Sequence, residues 1–139
     1  MSFKGRLRRI TIPATAGNVA YAALSPAAGF RWKLLALQVT LTCDATVASR
    51  LILTYPRTAA GLYLSTVRYS VAITASQTKK YFFTSRIGQT GSGTFEGTVF
   101  EIDPAGEQLA AGEQLYLAVS NGQAGDSYSG ILTVLEMPE

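Results

Sequence analysis

From Lys33 to Cys43 the chain alternates strictly, with Leu35, Leu37, Val39 and Leu41 on one side and Ala36, Gln38, Thr40 and Thr42 on the other. A two-residue period matches the pleat of a strand with one buried face, and it cannot be laid on a helix of 3.6 residues per turn. The pattern recurs along the chain. Arg50 to Tyr55 sets Leu51, Leu53 and Tyr55 against Arg50, Ile52 and Thr54. Tyr63 to Ile73 sets Val67, Tyr69, Val71 and Ile73 against Arg68 and Ser70. Tyr81 to Thr84, Thr94 to Ile102, Leu115 to Ser120 and Tyr128 to Glu136 are further strands, and Leu7 to Ile12 and Val19 to Leu24 are shorter ones.

Turn chemistry separates these runs. Pro26 to Gly29, Cys43 to Ala45, Pro56 to Gly61, Gly88 to Gly93, Asp103 to Gly106 and Asn121 to Asp126 carry the Gly, Pro, Asn and Asp residues that close turns. No segment sustains a helical period over three turns; a single helical turn is expected near Ala105 to Ala111. Ala105-Gly106-Glu107-Gln108-Leu109 recurs as Ala111-Gly112-Glu113-Gln114-Leu115. The second copy reads as the turn feeding the Leu115 strand, and the first as part of the preceding loop. The expectation is an all-β chain: an antiparallel β-sandwich of jelly-roll type, with eight or nine strands and an extended N-terminal arm.

A chain of 139 residues suffices for one sandwich domain, and residues 1–13 form its basic arm or an edge strand. Hydrophobic residues make up 47% and charged residues only 15%, which excludes wholesale disorder and leaves a Thr-, Ser- and Gln-rich surface. No apolar run approaches the ~18 residues of a membrane span. Cys43 is the single cysteine, so no internal disulfide forms and the fold rests on its core. Charge is unevenly placed along the chain. All twelve Lys and Arg residues lie at or before Arg86, while eight of the nine acids lie after it.

The chemistry excluded is as informative. With no His there is no Ser-His-Asp triad, and one Cys without His makes no ordinary zinc site. Gly88 to Gly93 is Gly-rich but is not followed by the Gly-Lys-Ser/Thr of a phosphate loop. The acids Glu96, Glu101, Asp103, Glu107, Glu113 and Asp126 are expected to be solvated rather than paired as in a glycosidase. No catalytic residue, cofactor or metal is expected.

Three groups of residues invite a binding role. Phe3, Lys4, Arg6, Arg8 and Arg9 form a basic arm suited to an acidic partner surface; without a run of aromatics it makes a poor nucleic-acid platform. Arg50 opens a strand and Asp126 follows a Gly in a turn, so an Arg–carboxylate bond between them would pin two loops at one end of a sandwich. Trp32, Tyr55, Tyr63, Tyr69, Tyr81 and Tyr128 offer stacking faces for a sugar, although alternation places Tyr55 and Tyr69 in core-facing rows.

One stretch carries a family likeness. Gly29-Phe30-Arg31-Trp32 opens a long strand, and Val47-Ala48-Ser49-Arg50 closes the turn that follows it. Together with Ala75-Ser76-Gln77-Thr78, and with the run from Ala111 through Asn121 to Tyr128, this resembles the small β-sandwich virion proteins of tailed bacteriophages. The likeness spans Gly29 to Glu136. Ser49 stands where an Asn is usual, and the N-terminal arm is basic where a charge-poor one is usual. The resemblance implies a non-enzymatic virion component that decorates or cements the capsid, docked through its arm on the major capsid protein or another virion protein. Its alternatives are a ring-forming tail or head–tail connector component, and a carbohydrate-binding or adhesion module. A homo-oligomer located in the virion is expected, with neither nucleic acid nor a membrane expected as a partner.

Overall fold

The computed structural model describes residues 5–64, 67–70, 72–84, 99–101 and 108–139. These form ten strands in two sheets, with no helix among the described residues. In chain order the strands are β1 (Arg6–Ala16), β2 (Tyr21–Leu24), β3 (Phe30–Thr42), β4 (Leu51–Thr58) and β5 (Arg68–Tyr69), then β6 (Thr78–Thr84), β7 (Val99–Glu101), β8 (Gln108–Leu109), β9 (Glu113–Ser120) and β10 (Ser127–Pro138). The larger sheet runs β1-β10-β3-β6-β7, with β8 also paired to β3; the smaller runs β2-β9-β4-β5. All pairings are antiparallel except β6 with β7, which is parallel.

The larger sheet's inner face is built in rows that follow its register. Ile12, Gly130, Val39 and Tyr81 make one row; Ile10, Leu132, Leu37 and Phe83 make the next. Val134 and Leu34 pair beside Arg8, and beyond them Arg6, Glu136, Trp32 and Leu109 form the last row. The smaller sheet opposes these rows with Ile52, Leu115, Leu117, Val119 and Leu24, and residues of both sheets share one buried core. Gly130 is required in its row, because a Cβ there would lie 2.0 Å from the Gln38 carbonyl oxygen.

Several local expectations are corrected. In β3, Thr133 pairs with Ala36 but Val134 with Leu34, so Leu35 is an extra, bulged residue. The bulge resets the period. Trp32 and Leu34 point inward before it, Leu37, Val39 and Leu41 after it, and Leu35 leaves the core row. In β4 the inward row is Ile52, Thr54 and Pro56, while Leu51, Leu53, Tyr55 and Arg57 take the outer face. Thr54 is tolerated in the core because its hydroxyl donates to the Tyr116 carbonyl at 2.9 Å. Pro56 belongs to this strand, so the turn comes later, at Gly61 with φ of 88°.

The expected strand from Tyr63 to Ile73 is broken. It follows β4 through the bridges Arg57–Tyr63 and Arg50–Ile73 and the short β5, with the register slipping between them. Gln108 and Leu109 form a strand where a loop or helical turn was expected, and Leu109 is fully buried. Gly88 to Gly93, Asp103 and the rest of the first duplicate lie outside the described residues.

At the N-terminus, of the two expectations for residues 1–13, the edge strand is the one seen from Arg6 onward: β1 pairs with β10 from Arg6–Glu136 to Ile12–Gly130 rather than extending as a free arm. Pro13 interrupts the ladder, and pairing resumes one residue out of step at Thr15. The outer side of β1 has no partner strand among the described residues.

Candidate functional site

β1 turns its inward side chains toward β10, and at the end of the sheet these are Arg8 and Arg6 rather than apolar residues. Both meet Glu136. Arg6 donates through Nε and Nη2 to Oε1 at 3.0 and 2.9 Å, and Arg8 donates through Nη1 to Oε2 at 2.7 Å. Trp32 Nε1 adds a fourth bond to Oε2 at 3.0 Å. Glu136 is buried, with its side chain 2% exposed, whereas those of Arg6 and Arg8 are 70% and 40% exposed. Burial disfavours the ionised carboxylate, but the bonds from Trp32, Arg8 and Arg6 and the charge of Arg8 outweigh it and hold Glu136 at about 2. Beside this knot, Arg8, Ile10, Tyr21, Leu24, Pro26 and Trp32 border an open cleft of about 400 Å³.

Arg9 points the other way. With Ala36, Gln38, Phe82, Ile131 and Thr133 it lines a second, smaller cleft of about 210 Å³ on the outer face of the larger sheet. Leu7 on β1 and Ile131 on β10 lie exposed on this side. Arg9 has no carboxylate partner among the described residues. Phe3 and Lys4 lie outside the described residues. The basic arm is thus divided: Arg6 and Arg8 are tied within the chain, and Arg9 faces outward.

At the opposite end of β3 and β10, Arg50 and Asp126 do meet. Arg50 donates through Nε to Asp126 Oδ2 at 2.9 Å and through Nη2 to Asp126 Oδ1 at 3.1 Å. Its Nη2 also reaches Asp44 Oδ1 at 2.9 Å, and its Nη1 reaches the Ala48 carbonyl at 2.8 Å. Asp126 further accepts the backbone N–H groups of Asp44 and Gln123. Burial pushes Asp126 up, but Arg50 and these two amides hold it below the ordinary carboxylate range; the bond to Asp126 in turn raises Arg50. Asp126 is buried, contrary to the expectation that it is a solvated loop acid. The cluster fastens the start of β4 in one sheet to the ends of β3 and β10 in the other. Asn121, at φ 59°, adds a side-chain bond to the Ser49 carbonyl. Cys43 is buried next to the Arg50–Asp126–Asp44 cluster, and burial pushes its thiol up.

The aromatic candidates separate. Trp32, Tyr81 and Tyr128 are buried in the core, and Tyr128 donates its hydroxyl to the Val19 carbonyl at 2.6 Å. Tyr55 is not in the core row. It lies on the outer face of the smaller sheet, opposite Tyr116, and is covered there by Tyr63. The side chain of Tyr69 is outside what is described.

Glu136 is the residue that the sequence reading passed over. A signal was present: Tyr128, Leu132, Val134 and Glu136 share one phase, so the acid falls in line with core residues. Three of the four ion pairs among the described residues join the basic first part of the chain to its acidic end. The charge asymmetry along the sequence therefore closes internally at these points. Among the described residues no cluster of His, Cys, Asp and Glu could hold a metal ion. Comparisons with protein-family models, with curated proteins and with solved structures give no match.

Proposed function

We propose that this chain is a non-enzymatic structural component of a bacteriophage virion, a decoration or cementing protein that docks on the head surface. The observation that carries the reading is the open edge of β1, an extended backbone without a partner strand among the described residues. A strand edge of this kind recruits a neighbour by main-chain hydrogen bonds. Arg9 and Leu7 on its outward face supply a cation and an apolar contact for an acidic capsid subunit. Many copies on one shell add avidity to a modest single contact. The sandwich is read as jelly-roll-like, because the chain crosses between the sheets at β1–β2, β2–β3, β3–β4, β5–β6, β8–β9 and β9–β10. A ring-forming tail or connector component draws less support, since its head-to-tail contact relies on charges that Glu136 and Asp126 engage within the chain.

The test is particle composition. Purified virions should carry the protein in many copies, and Arg9→Glu should lower its occupancy while leaving the isolated fold intact. Absence from intact particles, or full occupancy by the Arg9→Glu variant, overturns the proposal.

A further inference from the structure

The outer face of the smaller sheet, remote from β1, holds an ordered arrangement that docking through β1 leaves unused. After Thr58 the chain turns at Gly61 and returns along β4: Thr58 N–H donates to the Leu62 carbonyl, and Leu64 N–H to that of Pro56, at 2.8 and 2.9 Å. This return lays Tyr63 on Tyr55, with ring centroids 4.5 Å apart and an interplanar angle of 82°, the edge-to-face geometry that aromatic pairs prefer. Tyr63 nevertheless remains 67% exposed. Tyr55 also packs on Tyr116 at 5.0 Å, and the Arg57 guanidinium carbon sits 4.4 Å from the Tyr116 ring centroid. Gln114 Oε1 accepts from Arg57 Nε at 3.2 Å, which fixes the guanidinium in its plane. No carboxylate among the described residues neutralises Arg57.

We infer that Tyr63, Tyr55, Tyr116 and Arg57 form a binding site for a saccharide unit that carries a carboxylate, such as a uronic or sialic acid. A pyranose ring presents a face of C–H groups that packs on an exposed tyrosine. Its hydroxyls match phenolic groups, and its carboxylate matches the planar donor fork of an arginine already held flat on an aromatic ring. Because Tyr63 and Arg57 are positioned in advance, little side-chain freedom is lost on binding. A single fixed cation suits one carboxylate; a nucleic-acid backbone needs several phosphates neutralised at once. Four side chains also cover far less than the roughly 800 Å² per partner of a stable protein contact.

The experiment titrates the full chain with tetragalacturonate, a sialic acid tetramer, neutral maltotetraose and oligothymidylate. It is followed by calorimetry and by the tyrosine ring signals in NMR. At least one acidic saccharide should bind saturably and shift the Tyr63 and Tyr116 rings, with neutral maltotetraose weaker by about tenfold or more, the worth of one charge-assisted bond. Arg57→Gln should remove that preference and Arg57→Lys should keep only part of it. Tyr63→Ala should abolish binding with an unchanged circular dichroism spectrum. Binding of neither acidic saccharide, equal binding of the neutral one, indifference to Arg57→Gln, or tighter binding of the oligonucleotide each overturns the inference.

Discussion

Glu136→Gln isolates the charge of the knot that ties β1 to the sheet. The amide keeps the shape of the carboxylate and its oxygen can still accept from Trp32 and Arg8, but its NH₂ group then faces the Arg6 donors. The shift from 4.5 to about 2 corresponds to roughly 3 kcal/mol at ~1.4 kcal/mol per unit. Both arginines stand partly in water, and solvent screening reduces what they deliver, so the expected loss is about 1–2 kcal/mol near neutral pH. The pH dependence has a definite sign. The folded pKa is depressed, so the stabilisation is present in full above about 4.5 and is lost as pH falls toward about 2. Wild type and variant should therefore differ near neutrality and converge in acid, because the amide does not titrate. Urea unfolding followed by far-UV circular dichroism measures the gap. Trp32, the only tryptophan and itself bonded to Glu136, reports the same site by fluorescence. A gap that is absent near neutral pH, or that persists unchanged at about pH 2, refutes the assignment of this stability to the ionised carboxylate.

Asp126→Asn should destabilise more than Glu136→Gln, because Arg50 and Asp126 are both fully buried at the side chain and the buried cation is left with only the partly exposed Asp44 as counter-charge; thermal melts rank the two, and the reverse order sinks the fastening role of the cluster. Tyr128→Phe should cost about 1 kcal/mol through the lost bond to Val19. Burial pushes Tyr128 up to about 12, so in wild type its contribution holds below about pH 10 and is lost between about 10 and 12. The Phe variant should lack that alkaline loss in denaturant titrations, and an identical alkaline profile counts against it.

The alternation of apolar residues identified the class of fold and the positions of β3, β4, β9 and β10, because a half-buried strand writes its period into the side chains. It failed where the backbone or a satisfied polar group broke the rule. The bulge at Leu35 shifts phase without any change in composition. In β4 the apolar-looking row, Leu51, Leu53 and Tyr55, faces outward, and the row containing Arg50 and Thr54 faces inward. Both polar residues are admissible there only because Asp126 and the Tyr116 carbonyl receive their hydrogen bonds, partners that lie 76 and 62 residues away. The Arg50–Asp126 pair was legible, since an arginine opening a strand and an acid in a glycine turn suit a loop fastening. The Glu136 knot was hidden by the usual expectation that an acid near a chain end is solvated. The tyrosine cluster was hidden by the same misassigned face of β4.

Pro13 gives the open edge a measured length. Among the described residues a strand laid along β1 finds an unbroken backbone from Arg6 to Ile12, where Pro13 offers no N–H and the ladder slips beyond it. Seven residues at ~3.3 Å each make a slot of roughly 23 Å. Any guest segment is thus gauged as well as held: a short tongue from a neighbour fits, while a long ribbon must peel away at the proline. Such a stop restrains the edge from seeding open-ended sheets when many copies crowd together.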